Sequence, residues 1–381
     1  MPRPITPRFS SVLDCFRWVA AALVCIAHVR SVMFADFSGT AGSRPFAAVF
    51  YGLHGFGHQA VIVFFVLSGY LIGGEVLRGL RTGNFDWITY AIRRWSRLYP
   101  VYVAALLLGL LWDNLGLRLC NLQNVYNHHG QPFPMIFYPV AERLTATVLG
   151  GNLLFLQGIA VPTLGSNTPL WSLANEAWYY ALFPLALWPL FGKSTRPTRV
   201  LCFAFLVGAS WLLWPEIAAY FLVWLAGTAL HFIPRRLPVP GWLPPLLLTL
   251  LLGPVRLHQF AGWSIFVQDL AIAVILLLWL NQLEHRSGKP APAARWHHRL
   301  AGFSYTLYLV HWPLALFLAA ALGTLAGRGY RMEFGAGAFL LYGAVLAVVY
   351  AFAWLLAQLI EQRTTWLRGR LFALIPARPP S

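Results

Sequence analysis

Long apolar runs recur along this chain of 381 residues, and they constrain its fold more than any other feature. Several approach the roughly 20 residues that an α-helix needs to cross a bilayer, and they lack the two-residue alternation of membrane β-strands. Hydrophobic residues make up 59% of the chain and charged residues only 10%, which excludes an ordinary soluble protein. The sequence predicts an all-α, polytopic membrane helix bundle of about ten spans. They run roughly over 10–32, 57–77, 98–113, 170–191, 199–214, 217–233, 243–254, 263–281, 301–322 and 335–360.

The basic residues indicate how these spans are oriented. A formal net charge of +16 would suggest nucleic-acid binding in a soluble protein, but here the charges are spread over many loops. With both termini in the cytoplasm, 20 of the 28 Lys and Arg residues fall in inner segments and seven in outer ones. We therefore expect a multi-pass protein of the inner (plasma) membrane that binds no nucleic acid. The short, proline-bounded stretch 243–254 leaves nine or eleven spans as alternatives.

The first apolar stretch carries two ionisable residues, Arg17 and His28. At about 100° per residue both lie on one helix face, ~16–17 Å apart along the axis. A charge at mid-membrane costs at least ~2.5–3.5 kcal/mol, so we expect both side chains to face a polar cavity or a partner rather than lipid. A structural alternative stays open, in which Arg17 pairs with Asp14 and His28 is a hydrogen-bonded interior residue.

A second concentration of charge lies at the predicted cytoplasmic edge of the third span, in IRRWSRLYP. Arg94 and Arg97 share one face if this segment is helical. Two guanidinium groups placed in this way suit the phosphates of an anionic cytosolic cofactor. The alternative is that they are ordinary positive-inside anchors.

The fourth span opens with PLWSLANEAWYYALFPL, where Glu176 stands among aromatic residues near the predicted outer interface. In low-dielectric surroundings Glu176 could hold a histidine in one tautomer, position an acceptor hydroxyl or stay neutral, and a capping role is the alternative. Trp171, Trp178 and Tyr179 could stack on a sugar at this face. His311, in FSYTLYLVHWPL, by itself indicates packing.

Other motifs favour structural roles. Ser68 lies in VIVFFVLSGYLIGG, whose small residues favour close helix packing over a nucleophile. His54 and His58 flank glycines, and no partnering carboxylate set is evident, so no metal site is predicted. The four cysteines form no recognisable disulfide framework. We expect residues 1–381 to form a single membrane domain with no fused soluble domain.

Five short motifs follow one another along the chain: LDCFRWVAAALVCIAH, FFVLSGYLIG, RRWSRLYP, WSLANEAWYYALFP and SYTLYLVHWPL. Their order resembles that of the acyltransferase 3 family of membrane acyltransferases, over nearly the whole chain. The resemblance implies about ten membrane helices, an acyl-CoA donor and an acceptor that is typically a sugar hydroxyl. The chain departs from the family pattern at AVIVFF, where many relatives have an acidic residue before the Phe pair, and it lacks the esterase-like domain of some relatives.

Carried over position by position, the resemblance makes His28 the catalytic histidine and Arg17 its essential partner. The site residues expected on this basis are His28, Arg17 and Glu176 for catalysis, Arg94 and Arg97 for the donor, and Trp171, Trp178, Tyr179 and His311 for the substrate. His28 would act either as a general base or as a transient acyl carrier.

We therefore expect transfer of an acyl group, with acetyl as the first choice, from cytosolic acyl-CoA to a hydroxyl of a cell-surface glycan, lipid-linked sugar or similar acceptor. No permanently bound cofactor is expected, and a separate periplasmic partner stays open. The rival class is a transporter of an anionic solute, with Arg17, His28 and Glu176 lining its path. A third alternative is a structural or sensory membrane protein that has lost catalysis.

Overall fold

A computed structural model of the protein describes residues 4–35, 37, 44–120, 125–127, 136–191, 195–213, 216–256, 264–286, 288–289, 292–327 and 331–374. This part of the chain is helical and forms no β-strand. Its α-helices are α1 (Pro7–Met33), α2 (Arg44–Leu53), α3 (Gly57–Arg81), α4 (Trp87–Leu119), α5 (Ala146–Leu153), α6 (Trp171–Phe191), α7 (Arg196–Leu213), α8 (Glu216–Ala229), α9 (Leu243–Arg256), α10 (Ile265–Glu284), α11 (Ala294–Ala301), α12 (Ser304–Leu325), α13 (Ala336–Leu359) and α14 (Thr364–Ala373). Short 3-10 helices cover Val140–Arg143, Thr168–Leu170, Leu230–Phe232 and Glu361–Arg363.

The all-α prediction is confirmed for the part of the chain that the structure describes, and each of the ten predicted apolar stretches overlaps a helix there. Positions 214 and 263 of these stretches lie outside the described residues. Six helical stretches in the described residues are long and apolar enough to cross a membrane, namely Pro7–Met33, Pro45–Arg81, Trp87–Leu119, Ile265–Glu284, Ser304–Leu325 and Ala336–Ala373. Shorter apolar helices cover Ile217–Phe232 and Leu243–Val255. The chain is therefore a multi-pass membrane protein, while the count of ten and the orientation of the termini stay predictions.

The third predicted span began too late in the chain. Its helix, α4, begins at Trp87, eleven residues before the predicted start at 98. Asp86 caps the helix, because its carboxylate accepts the backbone N–H of Thr89 at 2.9 Å. Pro100 lies inside the helix and removes one backbone donor without ending it. The motif RRWSRLYP is therefore helical, as the pairing of Arg94 and Arg97 required.

Helices α3 and α8 approach each other closely through glycine. A Cβ atom at Gly69 would collide with the backbone carbonyl oxygen of Trp224, and one at Gly227 would collide with that of Val66. The Thr228 hydroxyl donates to the Gly69 carbonyl oxygen at 2.9 Å across the same contact. The small residues of the second span thus serve helix packing, as the sequence predicted.

Helix α1 lies between two apolar clusters. Ala21, Cys25 and Val29 pack into one cluster with residues of α4, α12 and α13. Phe9 and Leu13 pack into the other cluster with residues of α3, α8 and α10. The polar residues of α1 therefore lie where the two halves of the bundle meet.

The segment before α6 folds into the protein interior. The carboxylate of Asp113 is fully buried and accepts both the backbone N–H and the hydroxyl of Ser166, each at 2.7 Å. The Trp312 indole donates to the Ser166 carbonyl oxygen at 2.7 Å, and the Asn167 amide donates to the Leu309 carbonyl oxygen at 3.0 Å. These bonds satisfy an irregular backbone at depth. As a result α6 begins inside the bundle.

Candidate functional site

A cavity of about 300 Å³ lies among α1, α3, α4, α6 and α12. Along α3 it extends from Glu75 to Val61, which is ~21 Å at the helical rise of about 1.5 Å per residue. Its polar lining consists of Arg17, Ser68, Glu75, Arg94, Arg97, Ser172, Glu176, Tyr180, Ser304, Tyr305 and Tyr308. The cavity thus brings together four of the residues singled out from sequence: Arg17, Glu176 and the two arginines predicted to bind the donor.

One end of the cavity is rich in arginine. Arg94 Nη2 lies 2.7 Å from Glu75 Oε2, and Arg93 Nη1 lies 3.3 Å from Glu75 Oε1. Arg97 is exposed and makes no ion pair with any residue in the described ranges. Glu75 is therefore shared by two arginines, whereas the Arg97 guanidinium is available to an anion.

Arg17 lines the cavity farther along α1. Its Nη1 lies 3.4 Å from Asp14 Oδ1, one turn earlier, and its side chain is 21% exposed. The pairing with Asp14 that sequence offered as a structural alternative is therefore present. A guanidinium has five N–H donors, and a single contact of 3.4 Å leaves others for a ligand in the cavity.

Glu176 has a tyrosine as its partner. The Tyr180 hydroxyl donates to Glu176 Oε1, and the Ser68 hydroxyl donates to Tyr180 Oη at 3.3 Å. The Trp224 indole in turn donates to Ser68 Oγ at 3.1 Å. Glu176 forms no hydrogen bond with a histidine in the described residues, so the geometry does not support the role of holding a histidine in one tautomer.

The structure places Glu176 in the same half of the bundle as Arg94, whereas the predicted topology put these residues near opposite faces of the membrane. The Tyr90 hydroxyl, in the first turns of α4, donates to the backbone carbonyl oxygen of Tyr180 at 2.9 Å. Glu176, one turn before Tyr180, consequently lies in the half of the bundle where α4 begins, beside Arg94. The reason is the buried segment before α6, which starts this helix at depth.

His28 and His311 form a hydrogen-bonded pair. Nδ1 of His28 lies 2.7 Å from Nε2 of His311, and the two rings stack with centroids 5.0 Å apart. Nδ1 of His311 lies 2.7 Å from the carbonyl oxygen of Tyr308 and 3.1 Å from that of Leu307. His311 is fully buried, and His28 is half-buried. The pair joins α1 to α12.

These contacts assign the protons. A carbonyl oxygen only accepts, so the proton of a neutral His311 lies on Nδ1 and its Nε2 carries a lone pair. That lone pair accepts the Nδ1 proton of His28, which leaves the lone pair of His28 on its own Nε2. No described residue forms a hydrogen bond with this nitrogen. His28 Nε2 therefore carries a lone pair that no hydrogen bond from the described residues occupies.

His28 lies beyond one end of the cavity and does not line it. At that end are Val61, Phe64 and Tyr308. Tyr308 is one turn before His311, and its ring lies 6.0 Å from that of His311. Gly57, one turn before Val61, faces His28: a Cβ atom at this glycine would lie 3.8 Å from His28 Nε2. The arginine end and the histidine pair thus mark opposite ends of one path along α3.

The aromatic residues predicted to bind substrate lie in different surroundings. Tyr179 is fully buried and its hydroxyl donates to the Ile217 carbonyl oxygen at 2.7 Å, so this side chain packs the core instead of facing an acceptor. Trp178 is half-buried and donates to the Phe155 carbonyl oxygen at 3.0 Å. Trp171 is half-buried beside Tyr220, with ring centroids 5.5 Å apart.

Several lining residues were missed by the sequence analysis. Glu75 could have been found by the argument used for Arg17, because it is a carboxylate within an apolar helix. Tyr305 and Tyr308 carry no such signal, since tyrosine is common in membrane helices. In the described ranges no group of three or more His, Cys, Asp and Glu residues is placed to hold a metal ion.

Fold and site together define a multi-pass helical membrane protein with a charged internal cavity and a hydrogen-bonded histidine pair. The family described as "Acyltransferase domain" matches residues 11–358 of the chain. The match covers most of the sequence, and the protein belongs to this acyltransferase family. The family resemblance expected from the five motifs is confirmed.

Individual relatives are distant. The chain is 25% identical to "Acyltransferase MdmB" of Streptomyces mycarofaciens over 413 aligned positions, covering 97% of this chain and 95% of the relative. It is 30% identical to an "Uncharacterized protein" of Haemophilus influenzae over 141 positions, covering 36% of this chain. That match spans about half of the Haemophilus protein, 52% of its length. No solved structure matches the chain.

Proposed function

We propose that this protein transfers an acyl group, acetyl in the first instance, from cytosolic acyl-CoA to a hydroxyl of a cell-surface glycan, a lipid-linked sugar or a similar acceptor. The observation that carries the proposal is the cavity that runs from the arginine end towards the His28–His311 pair. Membership of the acyltransferase family supports the reaction class. The arginine end of the cavity supports acyl-CoA as the donor, and the hydroxyl acceptor is inferred from the resemblance to the acyltransferase 3 family.

The donor binds with its phosphates at the arginine end. Arg97 is free to form charge-assisted hydrogen bonds with phosphate oxygens, and Arg94 contributes a second guanidinium from the next turn of α4. Arg17 contacts the arm of the donor farther inside. An extended pantetheine arm matches the ~21 Å from Glu75 to Val61, and it would carry the thioester towards His28.

His28 Nε2 acts on the acceptor. It removes the proton from the acceptor hydroxyl as the oxygen attacks the thioester carbonyl carbon. A carbon–oxygen bond forms, the carbon–sulfur bond breaks, and CoA leaves as a thiolate. The proton taken from the acceptor hydroxyl then lies on His28. The same nitrogen would be the nucleophile if a transient acyl-histidine formed, so the assignment of its lone pair serves both routes.

The acceptor approaches from the side opposite the donor, in the predicted topology the outer face. Trp171 keeps part of its surface accessible and is the candidate for stacking on a sugar. Trp178 is not retained in this role, because it lies between Glu176 and Tyr180 in the half of the bundle where α4 begins. Tyr179 is not retained in this role, since its side chain is fully buried. Location in the inner membrane and hand-off to a separate periplasmic protein belong to this proposal.

The test is acyl transfer from radiolabelled acetyl-CoA to an envelope-glycan fraction, with washed membranes that hold wild type, His28→Ala or His285→Ala. His285 is the control, because it follows α10 and bonds to the Asn281 carbonyl oxygen away from the cavity. General-base catalysis contributes about 10²- to 10⁴-fold, so His28→Ala should lose at least 99% of the label while the control keeps it.

Equal labelling by wild type and His28→Ala would contradict the role of His28. The alternative hypothesis of a transporter predicts a different result. Labelled solute would then accumulate in sealed vesicles, and no thioester would be consumed. Thioester consumption that depends on His28 is expected from the enzyme alone.

A further inference from the structure

The C-terminal helix α14 brings another arginine to the donor end of the cavity. α14 covers Thr364–Ala373 and packs against α4. Arg368, half-buried on α14, donates from Nε to the hydroxyl of Ser96 at 3.4 Å. Ser96 lies between Arg94 and Arg97 on α4, so a contact across 272 residues of sequence places Arg368 beside the predicted donor arginines.

The local charges are not balanced. The positive charges of Arg93, Arg94 and Arg97 all act unfavourably on Arg368, and Glu75 is the carboxylate that opposes them. Glu75 is already shared by Arg93 and Arg94. Arg368 forms no ion pair within the described ranges. Glu361, just before α14, interacts electrostatically with Arg97, so four guanidinium groups face two carboxylates. The remaining positive charge forms a site that an anion with more than one charge would stabilise.

Space for such an anion lies next to this group. A second cavity, of about 460 Å³, begins at Glu75, where the first cavity ends. Arg78 and Arg93 line it together with the carboxylates of Glu75 and Asp86 and the polar groups of Thr82, Asn84 and Thr89. Of the four arginines only Arg93 lines this space, and Arg97 lines the first cavity. The donor cavity accommodates a narrow arm, whereas this second space at its arginine end is large enough for a nucleotide.

We propose that Arg368 is a donor-binding residue, which together with Arg93 and Arg97 holds the phosphate groups of the nucleotide portion of acyl-CoA. This inference rests on the proposed function and adds α14 to its donor site. Phosphate is also present in lipid headgroups, and a short helix with arginine and tryptophan can lie at a membrane surface. The experiment therefore has to distinguish a bound nucleotide from an anionic lipid.

The test is equilibrium binding of radiolabelled CoA to purified protein in nanodiscs, one set of phosphatidylcholine alone and one containing phosphatidylglycerol. Arg368→Ala is compared with wild type, with Arg368→Lys and with Arg370→Ala. Arg370 is the control, because it lies on the same helix with its guanidinium 5.3 Å from the Trp366 ring centroid. Unlabelled adenosine 3′,5′-bisphosphate and pantetheine serve as competitors that carry the phosphates and the arm separately.

Arg368→Ala should weaken CoA binding about tenfold, the loss expected for one charge-assisted contact, and should weaken competition by the bisphosphate by a similar factor. Competition by pantetheine should not change. Arg368→Lys should retain part of the affinity, Arg370→Ala all of it, and both lipid compositions should give the same result.

Three outcomes would overturn the inference. In the first, Arg368→Ala binds CoA as tightly as wild type. In the second, competition by pantetheine weakens as much as competition by the bisphosphate. In the third, the effect is confined to nanodiscs with phosphatidylglycerol, which would assign Arg368 to the lipid. If wild type binds and turns over acetyl-CoA in any of these cases, the proposed function stands. Failure of wild type to bind CoA at all would overturn both.

Discussion

Replacement of His311 tests the proton assignment on which the mechanism depends. His311 Nε2 accepts the Nδ1 proton of His28 at 2.7 Å and has no exposed surface. In His311→Leu the apolar packing is preserved, but the His28 N–H loses its acceptor. In His311→Gln the side-chain amide oxygen can accept the same proton. The two variants therefore separate the hydrogen bond from the volume of the side chain.

The magnitude follows from the buried donor. Leaving a buried N–H unsatisfied costs about 1–3 kcal/mol, which corresponds to a factor of about 5 to 150 in rate if the imidazole must keep its Nε2 lone pair towards the acceptor. We expect kcat of His311→Leu to fall about 10- to 100-fold. The KM for acetyl-CoA should stay the same, because the arginines proposed to bind the donor lie at the other end of the cavity. His311→Gln should recover most of kcat.

The assay is steady-state transfer from acetyl-CoA in detergent-solubilised protein, with the melting temperature of each variant as a measure of folding. His54→Leu is the matched control, since His54 Nδ1 also bonds to the carbonyl oxygen four residues earlier, at 2.7 Å from Phe50, but forms no hydrogen bond with His28. Wild-type kcat in His311→Leu, or equal loss in the Leu and Gln variants, would refute the reasoning. A parallel loss in His54→Leu would point to folding instead.

Two further predictions concern stability. Asp113→Ala removes the acceptor of both Ser166 groups, and the free energy of unfolding should fall by about 2–4 kcal/mol. The control Glu142→Ala, at an exposed position, should change it by less than about 0.5 kcal/mol. Equal melting temperatures for the two variants would contradict this prediction. Gly69→Ala pushes a methyl group into the backbone of α8, and overpacking should destabilise the protein by about 1–3 kcal/mol. Gly343→Ala, on α13 with no atom within 4 Å of the new Cβ, should leave the melting temperature unchanged or raise it. Equal changes of melting temperature in the two glycine variants would count against the close α3–α8 contact.

The helices were predictable because their signal is local. The stretch 57–77 was predicted from apolar residues alone, and α3 covers Gly57–Arg81. The start of α4 was missed because hydropathy reports the apolar part of a helix, while Trp87 to Arg97 is a polar extension that begins at the Asp86 cap. Hydropathy also says nothing about α14, where charged and apolar residues alternate without a long apolar run.

The site was predictable only in part, since its contacts join distant segments. His28 and His311 are 283 residues apart, and each taken alone was compatible with packing. The resemblance to the family selected both residues but assigned His311 to the substrate; its bond to His28 depends on the packing of α1 against α12. The predicted topology separated Glu176 from Arg94, because hydropathy cannot show a buried, irregular segment before α6.

The two charges on α1 have complementary explanations. Arg17 pairs with Asp14, as the structural alternative from the sequence proposed. One contact of 3.4 Å, however, leaves most of the guanidinium N–H donors without a carboxylate. The cavity supplies the rest of the explanation, because Arg17 lines it and the lipid does not have to solvate the charge. His28 lies ~16–17 Å farther along the same helix face, beyond the far end of that cavity. If the pantetheine arm of a donor passes Arg17 and its thioester reaches His28, the spacing of these residues on one rigid helix fixes the length of arm that the enzyme can use. Shortened thioesters should therefore lose kcat more than they lose binding at the arginines.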